Sequence, residues 1–290
     1  MLFATKGLFA KDLYVRGMGV EALVAIRAVL AVPLFWGFAL AREGVQSVTG
    51  SRPASIAAAA FAGVLCYYGG ALLDFYALTM IDASVERVLM FTYPAFVVVF
   101  TATLARRLPS ARIVLAVAIA YLGIYLAVGG LDHTALRTNA LGAGLVILSA
   151  ITYAIYFMIG ARYTRELGSS KFTLYAMSSA ALALALHFLA RHPVAELAAI
   201  DARSWWIMVL LATLVMFVPA LMQAEGVRRI GAQRAAVVSS LGPPTTILLA
   251  WLLLGERMSA WQLTGVALIV GGVLVLDLAR GVKPAPPPAE

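Results

Sequence analysis

The sequence predicts an all-α membrane protein in which ten transmembrane helices form two inverted five-helix repeats. Three observations predict this fold. The 290 residues are 62% hydrophobic and only 12% charged, whereas soluble domains carry about 25% charged residues. Ten apolar runs follow one another with short connections. Pro and Gly landmarks of the first half also recur in the second half at a fixed spacing.

Each apolar run is predicted to be a membrane-spanning helix. A spanning helix needs about 20 apolar residues, and the runs lack the alternation of barrel strands. In hydrocarbon, helices satisfy every backbone polar group within the segment. The predicted spans are residues 1–14, 21–41, 54–78, 83–104, 112–130, 140–160, 172–190, 204–223, 232–254 and 261–279. The Pro-rich residues 281–290 are predicted to form a disordered tail.

The two halves of the chain are predicted to be inverted copies. Pro94 overlays Pro243, and Gly123 overlays Gly272, at the same spacing. Five helices is an odd number, so the second copy must lie upside down relative to the first. Such repeats place a binding site near the midplane and permit alternating access. The predicted units are the first repeat, 1–130, and the second repeat, 140–280.

The first helix is expected to be truncated. The run before Arg16 reaches about 24 Å at 1.5 Å per residue, short of the roughly 30 Å hydrocarbon core. About ten more residues would bring it to the length of its counterpart in the second copy and place Lys6 in mid-membrane.

Basic residues indicate the orientation. Arg and Lys concentrate in the even-numbered loops, for example Arg106, Arg107, Arg228 and Arg229, so both termini are predicted to be cytoplasmic. The same topology accounts for the net charge of +8, and no nucleic-acid partner is expected. The excess of Arg over Lys suits a GC-rich genome, so we expect a bacterial inner membrane.

Two groups of motifs carry a family resemblance. The second half contains Gly231-Ala-Gln-Arg-Ala, Leu241-Gly-Pro-Pro and Leu254-Gly-Glu-Arg, and the first half has the looser Ser84-Val-Glu-Arg and Tyr93-Pro. Together these resemble the EamA family of the drug/metabolite transporter superfamily. The resemblance implies ten helices in two inverted halves that move small metabolites, often outward. It leaves the substrate open.

Charged residues inside spans are the first candidates for a site, because each costs about 2.5 to 3.5 kcal/mol at the bilayer centre. Lys6 and Asp74 are the main ones. Tyr67, Gly70 and Asp74 share a helical face. A buried ion pair between Lys6 and Asp74 and a role in binding are both open, and they are compatible.

Aromatic and symmetry-related residues complete the candidate site. Lys6 overlays Tyr156, and Asp74 overlays Gln223, although packing is an alternative role for the tyrosines. Glu86 shares a helical face with Tyr93; an interfacial charge paired with a neighbouring basic side chain is favoured over a role in the site. Arg27 is expected to snorkel or to pair across to a neighbouring helix. The candidate substrate-binding residues are Lys6, Tyr67, Asp74, Tyr93, Tyr153, Tyr156 and Gln223.

Two prolines are candidate hinges. Pro94 and Pro243 remove a backbone donor within their predicted spans and are expected to bend them. Simple packing kinks are the competing explanation.

The sequence therefore predicts a secondary transporter or facilitator that exports a small polar metabolite, such as an amino acid or a related compound. No catalytic triad, phosphate loop or metal-ligand spacing is visible, so no enzyme activity, cofactor or metal is expected. The alternatives are a membrane-embedded ligand sensor and a lipid-modifying protein. Proton coupling, and whether the protein is a monomer or a homodimer, are open at this point.

Overall fold

The computed structural model describes residues 5–104, 111–127, 133–223, 225–226 and 242–279. Within these ranges all regular structure is helical. The helices are α1 (Lys6–Val15), α2 (Val20–Glu43), α3 (Val45–Thr49), α4 (Pro53–Ala77), α5 (Ala83–Met90), α6 (Tyr93–Leu104), α7 (Ala111–Ala127), α8 (His133–Arg191), α9 (Ala202–Gln223), α10 (Gly242–Leu254) and α11 (Ala260–Ala279).

Four stretches of the described chain are long and apolar enough to cross a membrane. They are Val20–Glu43, Pro53–Ala77, Asn139–Arg191 and Ala202–Gln223. The third of these contains a break at Gly168, whose φ of 78° lies in the left-handed region that glycine adopts without strain. Residues on either side of Gly168 therefore form two arms of α8.

The helices depart from the predicted spans at several places, since α3 was not predicted and the predicted spans 140–160 and 172–190 both fall within α8. Predicted span 83–104 is two helices, because α5 ends at Met90 and a turn at residues 91–92 precedes α6. The turn lies just before Pro94, which cannot donate a backbone hydrogen bond. Helix α8 begins at His133, seven residues earlier than expected. The predicted tail, 281–290, and the start of predicted span 232–254 lie outside the described residues.

Apolar side chains cover both the inside and the outside of the helical bundle. Leu23, Phe35 and Met208 are almost fully buried in the largest core cluster, which joins α1, α2, α4, α8 and α9. By contrast, Leu182, Leu186 and Leu189 are more than half exposed along one face of α8. An exposed leucine stripe of this kind is typical of a surface that contacts lipid.

Small residues bring α7 and α11 into close contact. A Cβ atom added to Gly123 would lie 2.7 Å from the carbonyl oxygen of Gly265, and one added to Gly265 would lie 2.6 Å from that of Gly123. Such backbone contact is typical of membrane helix packing. The close approach of Gly123 to Gly265 is thus a contact within the chain.

Polar contacts tie the helices together at both ends of α2. At its start, Glu21 accepts a hydrogen bond from Tyr76 at 2.5 Å and lies 2.7 Å from His192 Nε2. Beyond its other end, Glu166 accepts a hydrogen bond from Ser55 at 2.8 Å. We call these the Glu21 end and the Glu166 end of the bundle.

Candidate functional site

The site is built around one buried ammonium group. Lys6 on α1 forms an ion pair with Asp74 on α4, and its Nζ lies 3.1 Å from Oε1 of Glu86 on α5. All three residues are buried. Among the described residues, no hydrogen-bond partner reaches Asp74 Oδ1. Two carboxylates therefore share one cation, and the ion pair that the sequence analysis allowed for Lys6 and Asp74 is present.

A second cation lies beside this cluster. Arg27 on α2 is buried, and its guanidinium carbon lies 4.2 Å from the centre of the Phe75 ring. Lys6 Nζ is 5.4 Å from the same ring. Both distances are typical of cation–π contacts. Phe75 thus contacts two buried cations at once.

The opposite wall of the site is aromatic. The Tyr93 and Tyr153 rings meet edge to face with their centres 4.9 Å apart, and Tyr67 meets Tyr156 in the same way at 5.1 Å. Tyr153 also donates a hydrogen bond to Oε1 of Gln223 at 2.9 Å. These contacts join α4, α6, α8 and α9 into one rigid surface that carries phenol groups.

The charged cluster and the aromatic wall enclose a cavity of about 120 Å³. Six of the seven predicted binding residues line it, and the seventh, Tyr156, packs behind it against Tyr67 and Tyr153. The cavity is lined by Lys6, Arg27, Cys66, Tyr67, Ala71, Asp74, Phe75, Arg87, Met90, Phe91, Tyr93, Ser149, Tyr153, Val215, Met216 and Gln223.

Two helices that flank the cavity widen into π-helix beside it. The π-helical segments are Val64–Gly70 in α4 and Leu211–Phe217 in α9. Segments of this type are rare and are frequent at functional sites. Cys66 and Tyr67 come from the first segment, and Val215 and Met216 from the second. Apolar periodicity gave no sign of either segment, because a π-helical turn has no sequence signature of its own.

Two charged residues lie deeper than expected. Glu86 is 1% exposed, so it is not an exposed interfacial charge, although it does pair with a basic side chain, Lys6. Arg27 is 7% exposed and does not snorkel; it contacts a neighbouring helix by stacking on Phe75 of α4. Arg87 also lines the cavity, although it was not among the predicted site residues. Its position one residue after Glu86 is the signal that could have found it.

The two candidate hinge prolines lie in α6 and α10. Pro94 is the second residue of α6, and Pro243 is the second described residue of α10, because residues 227–241 lie outside the described ranges. A proline in the first turn leaves the hydrogen bonds of its own helix intact. The break that accompanies Pro94 therefore lies before it, at residues 91–92, directly beside the cavity.

A larger depression, of about 290 Å³, lies near the Glu21 end, but its polar groups are already satisfied. Arg16 pairs with Asp12 at 3.0 Å. Asp201 accepts hydrogen bonds from the hydroxyl and backbone N–H of Ser204, which hold the pKa of its carboxyl below the ordinary value. We therefore place the candidate site in the smaller cavity. Within the described ranges, no group of three His, Cys, Asp or Glu residues could hold a metal ion.

Sequence comparisons with known proteins find transporters. The sequence model of the EamA-like transporter family matches residues 1–129 and again residues 140–277. The "Uncharacterized transporter YcbK" of Bacillus subtilis is 33% identical over 97% of this chain and 92% of its own length. The "Uncharacterized transporter sll1319" of Synechocystis is 26% identical over 72% of this chain and 63% of its own length.

Two further similarities are more limited in what they show. A segment of 43 residues is 49% identical to the "Quaternary ammonium compound-resistance protein QacE" of Escherichia coli, covering 15% of this chain and 39% of that protein. A solved crystal structure of a protein with 19% identity superposes with a TM-score of 0.67 over 96% of this chain and 94% of the other. The latter match shows a shared fold.

Proposed function

Because the chain belongs to the EamA-like transporter family, we propose that it is a secondary transporter or facilitator that carries a small polar metabolite by alternating access. Family membership makes the chain a membrane transporter and not an enzyme. The substrate, the direction and the mechanism are the proposed part. A buried charged cluster facing an aromatic wall across a small cavity is the observation that carries the proposal.

The proposed architecture is ten helices in two inverted repeats of five. The family model matches the chain twice. Pro94 lies in α6 and Pro243 in α10, 149 positions later. The π-helical segments Val64–Gly70 and Leu211–Phe217 also lie at nearly the same spacing as the two prolines. The proposed repeats are 1–130 and 140–280, followed by a Pro-rich tail at 281–290.

The proposed movement uses the two prolines as pivots. The turn at residues 91–92 separates α5, which carries Glu86, from α6, which begins at Tyr93. Bending there would move the charged cluster relative to the Tyr93 ring, which packs on Tyr153. Pro243, in α10, would act in the same way in the second repeat.

The dimensions and lining of the cavity support a small polar cargo. At about 120 Å³ it is smaller than the roughly 300–1,000 Å³ of typical ligand pockets. Tyr67, Tyr93, Tyr153 and Gln223 offer hydrogen-bonding groups beside apolar ring faces. An amino acid or a related metabolite fits this chemistry. All the named lining residues come from one chain, so a monomer supplies the site, whether or not two copies associate.

The proposed direction is export from the cytoplasm across a bacterial inner membrane. The distribution of Arg and Lys among the loops supports cytoplasmic termini. The resistance protein QacE, which one segment resembles, takes its name from protection against quaternary ammonium compounds. Protection of that kind is consistent with outward transport.

The charged cluster is also a proposed site of proton coupling. Lys6 neutralises only one of its two neighbouring carboxylates, Asp74 and Glu86. Two carboxylates close together favour binding of one shared proton. A cargo that separates Lys6 from Asp74 or Glu86 would make these carboxylates bind the shared proton more tightly, because the nearby positive charge is then farther away.

Counterflow into proteoliposomes tests the proposal. Vesicles containing the full-length protein are loaded with a mixture of unlabelled amino acids, and uptake of labelled L-alanine, L-leucine and L-phenylalanine is measured. We expect uptake with the wild type and loss of about tenfold or more with Asp74→Asn, because the ion pair with Lys6 is removed. Asp82→Asn is the control, since Asp82 is exposed and pairs with Lys11.

Two results would contradict the proposal. Equal uptake by wild type and Asp74→Asn would remove Asp74 from the site. Binding of the same compounds without any flux would indicate a ligand sensor. If an imposed pH gradient leaves uptake unchanged, proton coupling is wrong while facilitated transport remains.

A further inference from the structure

Arg27 is a buried cation with no described carboxylate at ion-pair distance, and Asp74, the buried acid that attracts it, already pairs with Lys6. The side chain is 7% exposed and lines the cavity. Among the described residues, no carboxylate lies within the 4.0 Å limit of an ion pair, and no hydrogen-bond partner reaches its Nε. Its guanidinium stacks on the Phe75 ring. Buried charges in membrane proteins are normally paired, so the missing partner requires an explanation.

The two buried carboxylates of the charged cluster already pair with another cation. Asp74 and Glu86 both lie against Lys6, and a carboxylate that satisfies one cation does not fully compensate another. Arg87 also lines the cavity. Within the described chain, no carboxylate oxygen lies within 4.0 Å of its guanidinium nitrogens. Three cations thus face two carboxylates, which leaves one positive charge in excess.

We propose that Arg27 binds a carboxylate group of the transported molecule, so that the substrates are small carboxylate-bearing metabolites. This inference rests on the proposed function and specifies its substrate class. A planar guanidinium donates two parallel hydrogen bonds to a carboxylate, and stacking on Phe75 fixes the plane of the Arg27 group. One carboxylate also removes the excess positive charge of the cavity.

A phosphate group is the other anion that arginine recognises well. The cavity favours the carboxylate for two reasons. A phosphate monoester carries about two negative charges near neutral pH, whereas the excess in the cavity is a single positive charge when Asp74 and Glu86 are both ionised and hold no shared proton. The space of about 120 Å³ must also hold the rest of the cargo beside the tyrosines.

Matched pairs of acids and amides test the inference on the purified full-length protein in detergent. The probes are propionate with propionamide, L-alanine with L-alaninamide, and L-phenylalanine with L-phenylalaninamide, together with methyl phosphate. Binding is measured by thermal shift and by quenching of intrinsic fluorescence. We expect at least one acid to bind at least about tenfold more tightly than its amide, the ratio typical of losing a charge-assisted hydrogen bond.

Variants at Arg27 then locate the interaction. Arg27→Gln should abolish the preference for acid over amide, and Arg27→Lys should retain part of it, because lysine keeps the charge but not the planar fork. Arg52→Gln is the matched control, since the Arg52 side chain is 83% exposed at the Glu166 end. It should bind the acids as the wild type does.

Each outcome decides the inference. Equal binding of acids and amides by the wild type, no binding of any acid, or tighter binding of methyl phosphate would overturn it, even if Arg27→Gln fails to fold. Unchanged acid preference in Arg27→Gln would overturn it as well. Acid-selective binding without counterflow would leave the inference intact and refute the proposed transport, so the two failures are distinguishable.

Discussion

The carboxylate of Glu256 accepts hydrogen bonds from the hydroxyl and the backbone N–H of Ser84, a residue 172 positions earlier in the chain. It also accepts from the backbone N–H of Ala83 at 3.1 Å and pairs with Lys11 at 3.0 Å. Glu256 therefore caps the first turn of α5, the helix that brings Glu86 to the cavity. The loop at residues 255–259 thereby holds the charged cluster in place from outside the site.

Glu256→Gln should lower the free energy of unfolding by about 1 kcal/mol, the usual contribution of a capping acid at a helix N-terminus. Burial opposes ionisation of Glu256, but the hydrogen bonds from Ser84 and Lys11 outweigh it and hold the pKa below its ordinary value. The stabilisation is thus present above the unfolded pKa and lost as the pH falls through the folded pKa. Thermal unfolding of the wild type and Glu256→Gln in detergent, from pH 7 down to pH 3, measures this stabilisation, and Glu43→Gln is the control. A stability difference between wild type and Glu256→Gln that does not change with pH would refute the cap.

His192 should make the protein more stable in mild acid than in mild base. The hydrogen bond to Glu21 raises the pKa of His192 above its ordinary value. The contribution is therefore full below the unfolded pKa of about 6.5 and is lost as the pH rises through the folded pKa. Melting temperatures between pH 5.5 and pH 9 should fall less steeply for His192→Gln. Arg191→Gln removes a permanent charge 3.6 Å from Glu21 and should keep the wild-type slope.

Gly63→Ala should destabilise the fold by about 1–3 kcal/mol, the usual cost of overpacking. The added Cβ would lie 2.0 Å from the backbone oxygen of Ala176, and backbone cannot rotate out of the way as a side chain can. Gly144→Ala is the control because nothing lies within 4 Å of its added Cβ, and alanine favours helix over glycine. Reversible unfolding in mixed micelles should show a lower free energy of unfolding for Gly63→Ala and a higher one for Gly144→Ala. An unchanged free energy of unfolding in Gly63→Ala would mean that α4 and α8 pack less closely than described.

Lys6→Met should lower the free energy of unfolding more than removal of both charges of the Lys6–Asp74 ion pair does. It leaves Asp74 and Glu86 buried without their cation, which costs about 3–5 kcal/mol. Adding Asp74→Asn should recover at least about 1 kcal/mol, because coupled sites are not additive. Unfolding of both single variants and the double variant completes the cycle. Strict additivity would show that Lys6 and Asp74 do not interact.

The parts of the site that follow helix periodicity could be predicted from the sequence. Tyr67 and Asp74 were assigned to one face of one helix, and both line the cavity. Lys6 was a candidate because a charge inside an apolar run needs a partner, and that partner is Asp74. The twofold internal similarity likewise pointed to Gln223, which meets Tyr153.

The parts that depend on contacts between distant segments could not be predicted. Glu86 lies near the end of an apolar run, where an exposed and a buried carboxylate look alike in sequence; only the approach of α1 places Lys6 beside it. Arg27 was expected either to snorkel or to pair with a neighbouring helix, and only the approach of Phe75 on α4 decides between the two. The broken helix at residues 91–92 was missed because apolar content continues without interruption across the turn.

The two π-helical segments determine which side chains farther along their helices point into the interior of the bundle. An α-helix turns about 100° per residue, so the extra residue in a widened turn rotates everything beyond it relative to an uninterrupted helix. Asp74 follows the segment Val64–Gly70, and Gln223 follows Leu211–Phe217. Deleting a single residue from either segment would restore ordinary winding and swing the polar side chain out of the interior, so the length of these segments constrains how such chains can diverge.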